Sequence, residues 1–133
     1  MIDGRELRKG NVVRCLVHLP IGFYTPTLPY TEITEVRSGY VETSVGTDKY
    51  KDIAPIGLTT DIILRSGGKR ATDTSFVFSD NDEKTPDIYL LQEEDAFYLT
   101  NKRKEKISIA IDSVHKLQTL YFALTGIDLN IIL

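Results

Sequence analysis

DIYLLQEEDAFYLTN, residues 87–101, sets two runs of aliphatic and aromatic residues on either side of a short acidic break, and its reading decides the fold class. DIYLLQ (87–92) and AFYLTN (96–101) have the composition of strands, and EED between them is a connection of hairpin length. The pattern extends both ways. TSFVFSD (74–80) precedes it across the polar stretch NDEKTP, and KISIAI (106–111) follows across KRKE, which predicts an antiparallel meander with KISIAI running beside it as a further strand.

The meander ends in a change of period. In SVHKLQTLYFALTG (113–126), Val114, Leu117, Leu120, Tyr121 and Leu124 fall within an arc of about 120° at roughly 100° per residue, the width of a core-facing stripe. Asp112 or Ser113 is placed to cap the first turn, and Gly126 stands where a left-handed residue closes a helix. His115 and Phe122 lie within about 20° of each other on the far side, flanked by Gln118 and Thr119. Two readings of that face stay open: a second layer covers it, or His115, Gln118 and Phe122 form an exposed contact for a protein partner or a second copy of the chain. The closing IDLNIIL alternates like a final strand or an apolar tail.

Upstream the segments are shorter. The turn pair Gly10-Asn11 feeds an apolar run over 12–19, and YTEITEVRSGYVETSV places apolar residues around Ser38-Gly39 as a hairpin does. KYKDIAPI (49–56) would close a small sheet. So few residues hide an apolar face only by curling, so residues 1–56 are expected to form a small, strongly bent sheet or SH3-like barrel. Between its strands, IGFYTPTLPY (21–30) is too rich in proline for a central strand and reads as an ordered loop, with Phe23, Tyr24 and Tyr30 as further candidates for a binding patch. LTTDIILRSGG then supplies a connector helix, capped by Thr59 or Thr60 and stopped by Gly67-Gly68. The expected fold is α+β: the barrel-like half, then over 57–133 the connector helix, the meander and one C-terminal helix, the two halves packing together.

Composition narrows function by exclusion. A chain of 133 residues with 41% hydrophobic and 26% charged residues has a globular composition, and a net charge of −3 gives no electrostatic reason to expect a nucleic acid or an anionic membrane as partner. Cys15 is the single cysteine and the first residues lack an apolar signal core, so a cytoplasmic protein is expected.

HKLQTLYFALTG, from His115, resembles a C-terminal motif, H-x-L-Q-x-L-Y-F-A-L-T-G before an apolar strand, of small uncharacterised proteins of Bacteroidetes and of their phages and mobile elements. LRKGNVV (7–13) and IAPIGLT (53–59) are similar to passages of the same proteins, whereas LTTDIILRSGG departs from their longer, more acidic and aromatic helix start. The resemblance implies an accessory product of a phage or mobile element, and it carries no catalytic residue, substrate or cofactor onto this chain.

Motifs of known chemistry fail on inspection. GGKR (67–70) would need glycine in place of Ile63 and Ser or Thr in place of Arg70 to be a phosphate loop. Asp80 and Asp82 have calcium-loop spacing, but Thr85 and Leu91 stand where glycine and a bidentate Glu belong. Cys15 and His18 would point to opposite faces of a strand, so no metal and no cofactor is expected. KRKEK (102–106) is the strongest basic run: an exposed turn in the plain reading, a phosphate contact through Lys102, Arg103 and Lys104 in the alternative one. These features favour a non-enzymatic protein that acts through an unidentified protein partner or by self-association, with nucleic acid the less favoured partner.

Overall fold

The computed structural model describes residues 7–15, 30–43, 46–50, 53–79, 86–101, 103 and 105–133. The chain divides into two compact units, Met1–Ile56 and Gly57–Leu133. Together they make an α+β protein of antiparallel sheets with a C-terminal helix.

In the first unit β1 (Val12–Cys15), β2 (Tyr30–Val36), β3 (Tyr40–Thr43), β4 (Gly46–Lys49) and β5 (Ile53–Ala54) form one sheet in the order β4-β3-β2-β1-β5. β2 joins its two parts. Tyr30, Thr31 and Glu32 pair with β1, and Ile33, Glu35 and Val36 pair with β3. The register slips between Ile33 and Glu35, so Thr34 is an extra residue in a β-bulge. A bulge inverts the strand's alternation. Thr31 and Ile33 are buried before it, and Val36 turns inward after it, packing with Tyr50 against Leu7, Val13, Ile33, Val41 and Ile53. The bend that accompanies the bulge curls the sheet into a half-barrel, in keeping with the strongly bent, barrel-like sheet expected for this half.

Local turns fix the strands. Asn11 is fully buried: its Oδ1 accepts the Arg8 N–H at 2.7 Å, and its own N–H donates to the Arg8 carbonyl at 3.1 Å. Its carbonyl then accepts the Ile33 N–H at 2.8 Å, so one turn residue ties the chain start to the middle of β2. Gly39, at φ 84°, makes the β2–β3 turn, where the Arg37 N–H donates to the Tyr40 carbonyl at 2.9 Å. The Tyr50 hydroxyl donates to the Arg37 carbonyl from outside the turn.

The second unit holds α1 (Thr60–Arg65), β6 (Lys69–Thr72), β7 (Ser75–Phe78), β8 (Ile88–Glu93), β9 (Ala96–Thr100) and α2 (Val114–Thr125). Its sheet is an antiparallel meander, β6-β7-β8-β9, in which β7, β8 and β9 are the three expected strands and β6 is the fourth. Phe76, Phe78, Ile88, Leu90, Phe97 and Leu99 are buried along one face of β7, β8 and β9. α2 meets that face through Tyr121, whose ring stands edge-on to Phe78 at 5.8 Å, and Leu58, Ile63, Ile111, Val114, Leu117 and Leu129 are buried as well. The Thr59 hydroxyl caps α1 by accepting the Ile62 N–H at 3.2 Å.

Two expectations need correction here, KISIAI and Tyr30; β6 is a strand the sequence reading lacks, and IDLNIIL takes the second of its two readings. KISIAI forms no regular strand: Lys106 and Ile111 bridge to Thr100 and Phe97, and the extra residues between them break the ladder. β6 escapes a reading by apolar alternation because all of its residues are exposed. IDLNIIL is an irregular tail, anchored by buried Leu129 and by the Ile132 N–H on the Ser66 hydroxyl at 3.0 Å. Tyr30 belongs to β2, opposite Arg14, and not to the preceding loop, because β1 gives it a pairing partner.

Two substitutions test this packing. Asn11→Ala strips the acceptor from a part-buried N–H and should destabilise by about 1–3 kcal/mol. Gly68→Ala would set its new carbon 2.6 Å from Ile63 Cγ2 and 2.9 Å from the Ile63 carbonyl, a crowding of about 1–3 kcal/mol. Gly57→Ala, whose added carbon meets nothing within 4 Å, should stay within about 0.5 kcal/mol of wild type. Urea midpoints at unchanged slope would check all three.

Candidate interaction surface

α2 is built differently at its two ends. Ser113 takes the extended N-cap conformation, but its hydroxyl is buried and accepts no helix N–H, so neither expected cap residue works through its side chain. The N-terminal end is instead fastened from outside: the Leu58 N–H donates to the Asp112 carbonyl at 3.0 Å, and Gly57 bridges to Ser113. Lys116 adds an ion pair to Asp112 at 3.2 Å across one turn. At the C-terminal end Gly126 is left-handed at φ 72° and donates to the Phe122 carbonyl at 2.8 Å, as expected. The Thr125 hydroxyl donates to the Tyr121 carbonyl at 2.7 Å and accepts the Ile127 N–H at 3.1 Å, so this end is rigidly closed.

Burial along the helix does not follow the expected stripe. Val114, Leu117 and Tyr121 are buried as predicted, but so are His115, 1% exposed, and Gln118. These two are therefore interior residues and not part of an exposed contact. This side of the helix is buried over its first turns, and His115 and Gln118 both have interaction partners. The cover ends at Tyr121. Phe122 is 38% exposed, Leu124 is 45% exposed against the expectation that it faces the core, and Ile127 is exposed beyond the cap.

The surface that remains is apolar and electrically quiet: no charged residue occurs between Lys116 and Asp128. That gap in charge is the sequence signal for it, since an exposed last turn ordinarily carries polar or basic groups. An aromatic and two aliphatic side chains on a closed helix end suit a hydrophobic contact and offer no group for proton transfer.

Tyr30 is exposed in the first unit, and Phe23 and Tyr24 lie outside the described residues. Arg103 is exposed in a turn where Asn101 Oδ1 accepts the Arg103 and Glu105 N–H groups at 2.9 and 3.0 Å. Lys102 and Lys104 lie outside the described residues. Lys106 is already engaged: its ammonium sits 4.2 Å from the Tyr98 ring centroid and pairs with Glu93, whose hydrogen bond holds the lysine pKa above its ordinary value. Among the described residues no group of three or more His, Cys, Asp or Glu is placed to hold a metal ion, and no helix is long and apolar enough to cross a membrane. Comparison with protein-family models, curated proteins and solved structures gives no match.

The two ends of α2 should respond differently to truncation. Leu117→Ala, at a fully packed position, is expected to cost about 2–5 kcal/mol. Phe122→Ala, at a position open to solvent, should cost about 1 kcal/mol or less. Thermal melts of the two variants beside wild type would separate the faces.

Proposed function

We propose that the protein is a non-enzymatic interaction protein whose binding surface is the exposed C-terminal end of α2, centred on Phe122. One observation carries this reading: burial stops at Tyr121 while the apolar sequence continues through Ile127 without a charge. An exposed aromatic on a helix without nearby charge suits the anchor of a protein contact. The resemblance of HKLQTLYFALTG to proteins of Bacteroidetes phages and mobile elements supports an accessory or regulatory role in the cytoplasm, exerted by binding a host or phage protein. The same surface would serve if the partner were a second copy of the chain.

The test is capture of a protein partner from host lysate by tagged wild type and by Phe122→Asp, after nuclease treatment. A specific protein retained by wild type and lost with Phe122→Asp, at a melting temperature within a few degrees of wild type, is the expected result. Equal capture by both would remove this surface from the function. Capture abolished by nuclease would transfer the function to the basic turn at 102–106 and to nucleic acid.

A further inference from the structure

We infer that the chain forms a two-fold dimer through the outer side of α2, with the two copies of the helix antiparallel. The apolar stripe of α2 is wider than its buried face. His115 and Gln118 are buried beside Val114, Leu117 and Tyr121, which turns the core face toward them and away from Leu120 and Leu124 at about 100° per residue. Leu120 is half-buried, Leu124 is 45% exposed, and Ala123 beside them is exposed. Lys116, Leu120 and Leu124 follow one another at single-turn spacing, the ridge that one helix presents to another. Ala123 at its side lets a second backbone come close. Phe122 lies about 160° around the helix from each leucine, so this face is separate from the Phe122 surface.

Charge selects the occupant. Lys116 stands at the N-terminal end of the ridge and exposed Asp128 just past the C-cap, with uncharged residues throughout the interval. Position 122 is the midpoint of that interval and also of Leu120 and Leu124. A two-fold axis level with it therefore sets Leu120 of each copy against Leu124 of the other, and brings Lys116 of each copy to Asp128 of the other. A parallel pair would set lysine on lysine and aspartate on aspartate. Lys116 already pairs with Asp112 at 3.2 Å, but both side chains reach solvent, at 36% and 67%. A surface pair of that kind contributes little and leaves the ammonium able to meet a second carboxylate. A ridge with one cation offers a polyanion little to bind, whereas a face that is neutral at its centre and opposite in charge at its two ends complements itself.

The experiment is sedimentation equilibrium of the full chain over a range of concentrations. The expected result is a mass that rises with concentration from 15.0 kDa toward twice that value. Leu124→Asp, at an exposed position, should keep its melting temperature and raise the dimer dissociation constant on the order of a hundredfold, since each copy places a charge in the contact. Lys116→Glu alone and Asp128→Lys alone should each raise it about threefold to tenfold, because either variant meets itself through two like-charged pairs. Mixed in equal parts, those two variants should form a heterodimer about as tight as the wild-type dimer, since opposite charges meet again at both ends. Phe122→Asp should dimerise like wild type, so loss of lysate capture by that variant and loss of the dimer are read separately. A chain that stays at 15.0 kDa at every concentration, a Leu124→Asp variant that dimerises like wild type, a dimer broken by Phe122→Asp, or a mixture no tighter than its two parts would each overturn the proposal.

Discussion

The second unit depends on one constraint: a four-stranded meander with Phe76, Phe78, Ile88, Leu90, Phe97 and Leu99 along one face has no stability until something covers that face. α2 is that cover. Its entry is fastened by backbone hydrogen bonds at Asp112 and Ser113, and Tyr121 against Phe78 is its last buried contact. Because the helix is committed to the sheet over its first turns, His115 and Gln118 are spent on the interior. What is left for a partner is the end of the helix that the sheet does not need.

The first unit solves the same problem without a helix. Five short strands bury Val13, Ile33, Val41 and Ile53 by curling, and the bulge at Thr34 permits the curl. Without the extra residue, Ile33 and Val36 would face opposite sides of β2, and the Val36–Val41 pair would be lost from the core or the Ile33 contacts would be. Asn11, buried and satisfied through Arg8, sets the start of β1 against the middle of that strand. The L-x-x-G-N opening of LRKGNVV is therefore a structural turn, which accounts for its residues without reference to a ligand.

Two exposed apolar stretches share a physical origin. Each is a place where apolar sequence outruns the cover available to it: Phe122, Leu124 and Ile127 past the end of the helix contact, and Ile107 and Ile109 where a bulge lifts the chain off β9. They differ in charge. The helix end has no charged residue between Lys116 and Asp128, whereas the bend follows at once on a basic run.

Local chemistry was legible in the sequence wherever it is decided by neighbours along the chain. The hairpins at Ser38-Gly39 and at EED, the Thr59 cap and the left-handed Gly126 follow from dihedral preference and hydrogen-bond reach over a few residues. The α+β class, the strands of the meander and the half-barrel followed from alternation and spacing. What only the tertiary structure decided is which apolar side chains find a neighbour. Projection around α2 gave angles correctly but supposed that one face is buried along its whole length, so it placed His115 and Gln118 outside and Leu124 inside. The cover varies along the axis as well as around it. The same reason hid the bend at 107–109, since KISIAI alternates as a strand does and only its register against Thr100 and Phe97 reveals the residues left over. A sequence sets how apolar each residue is; burial belongs to pairs of segments distant in the chain, and pairing is settled by the fold.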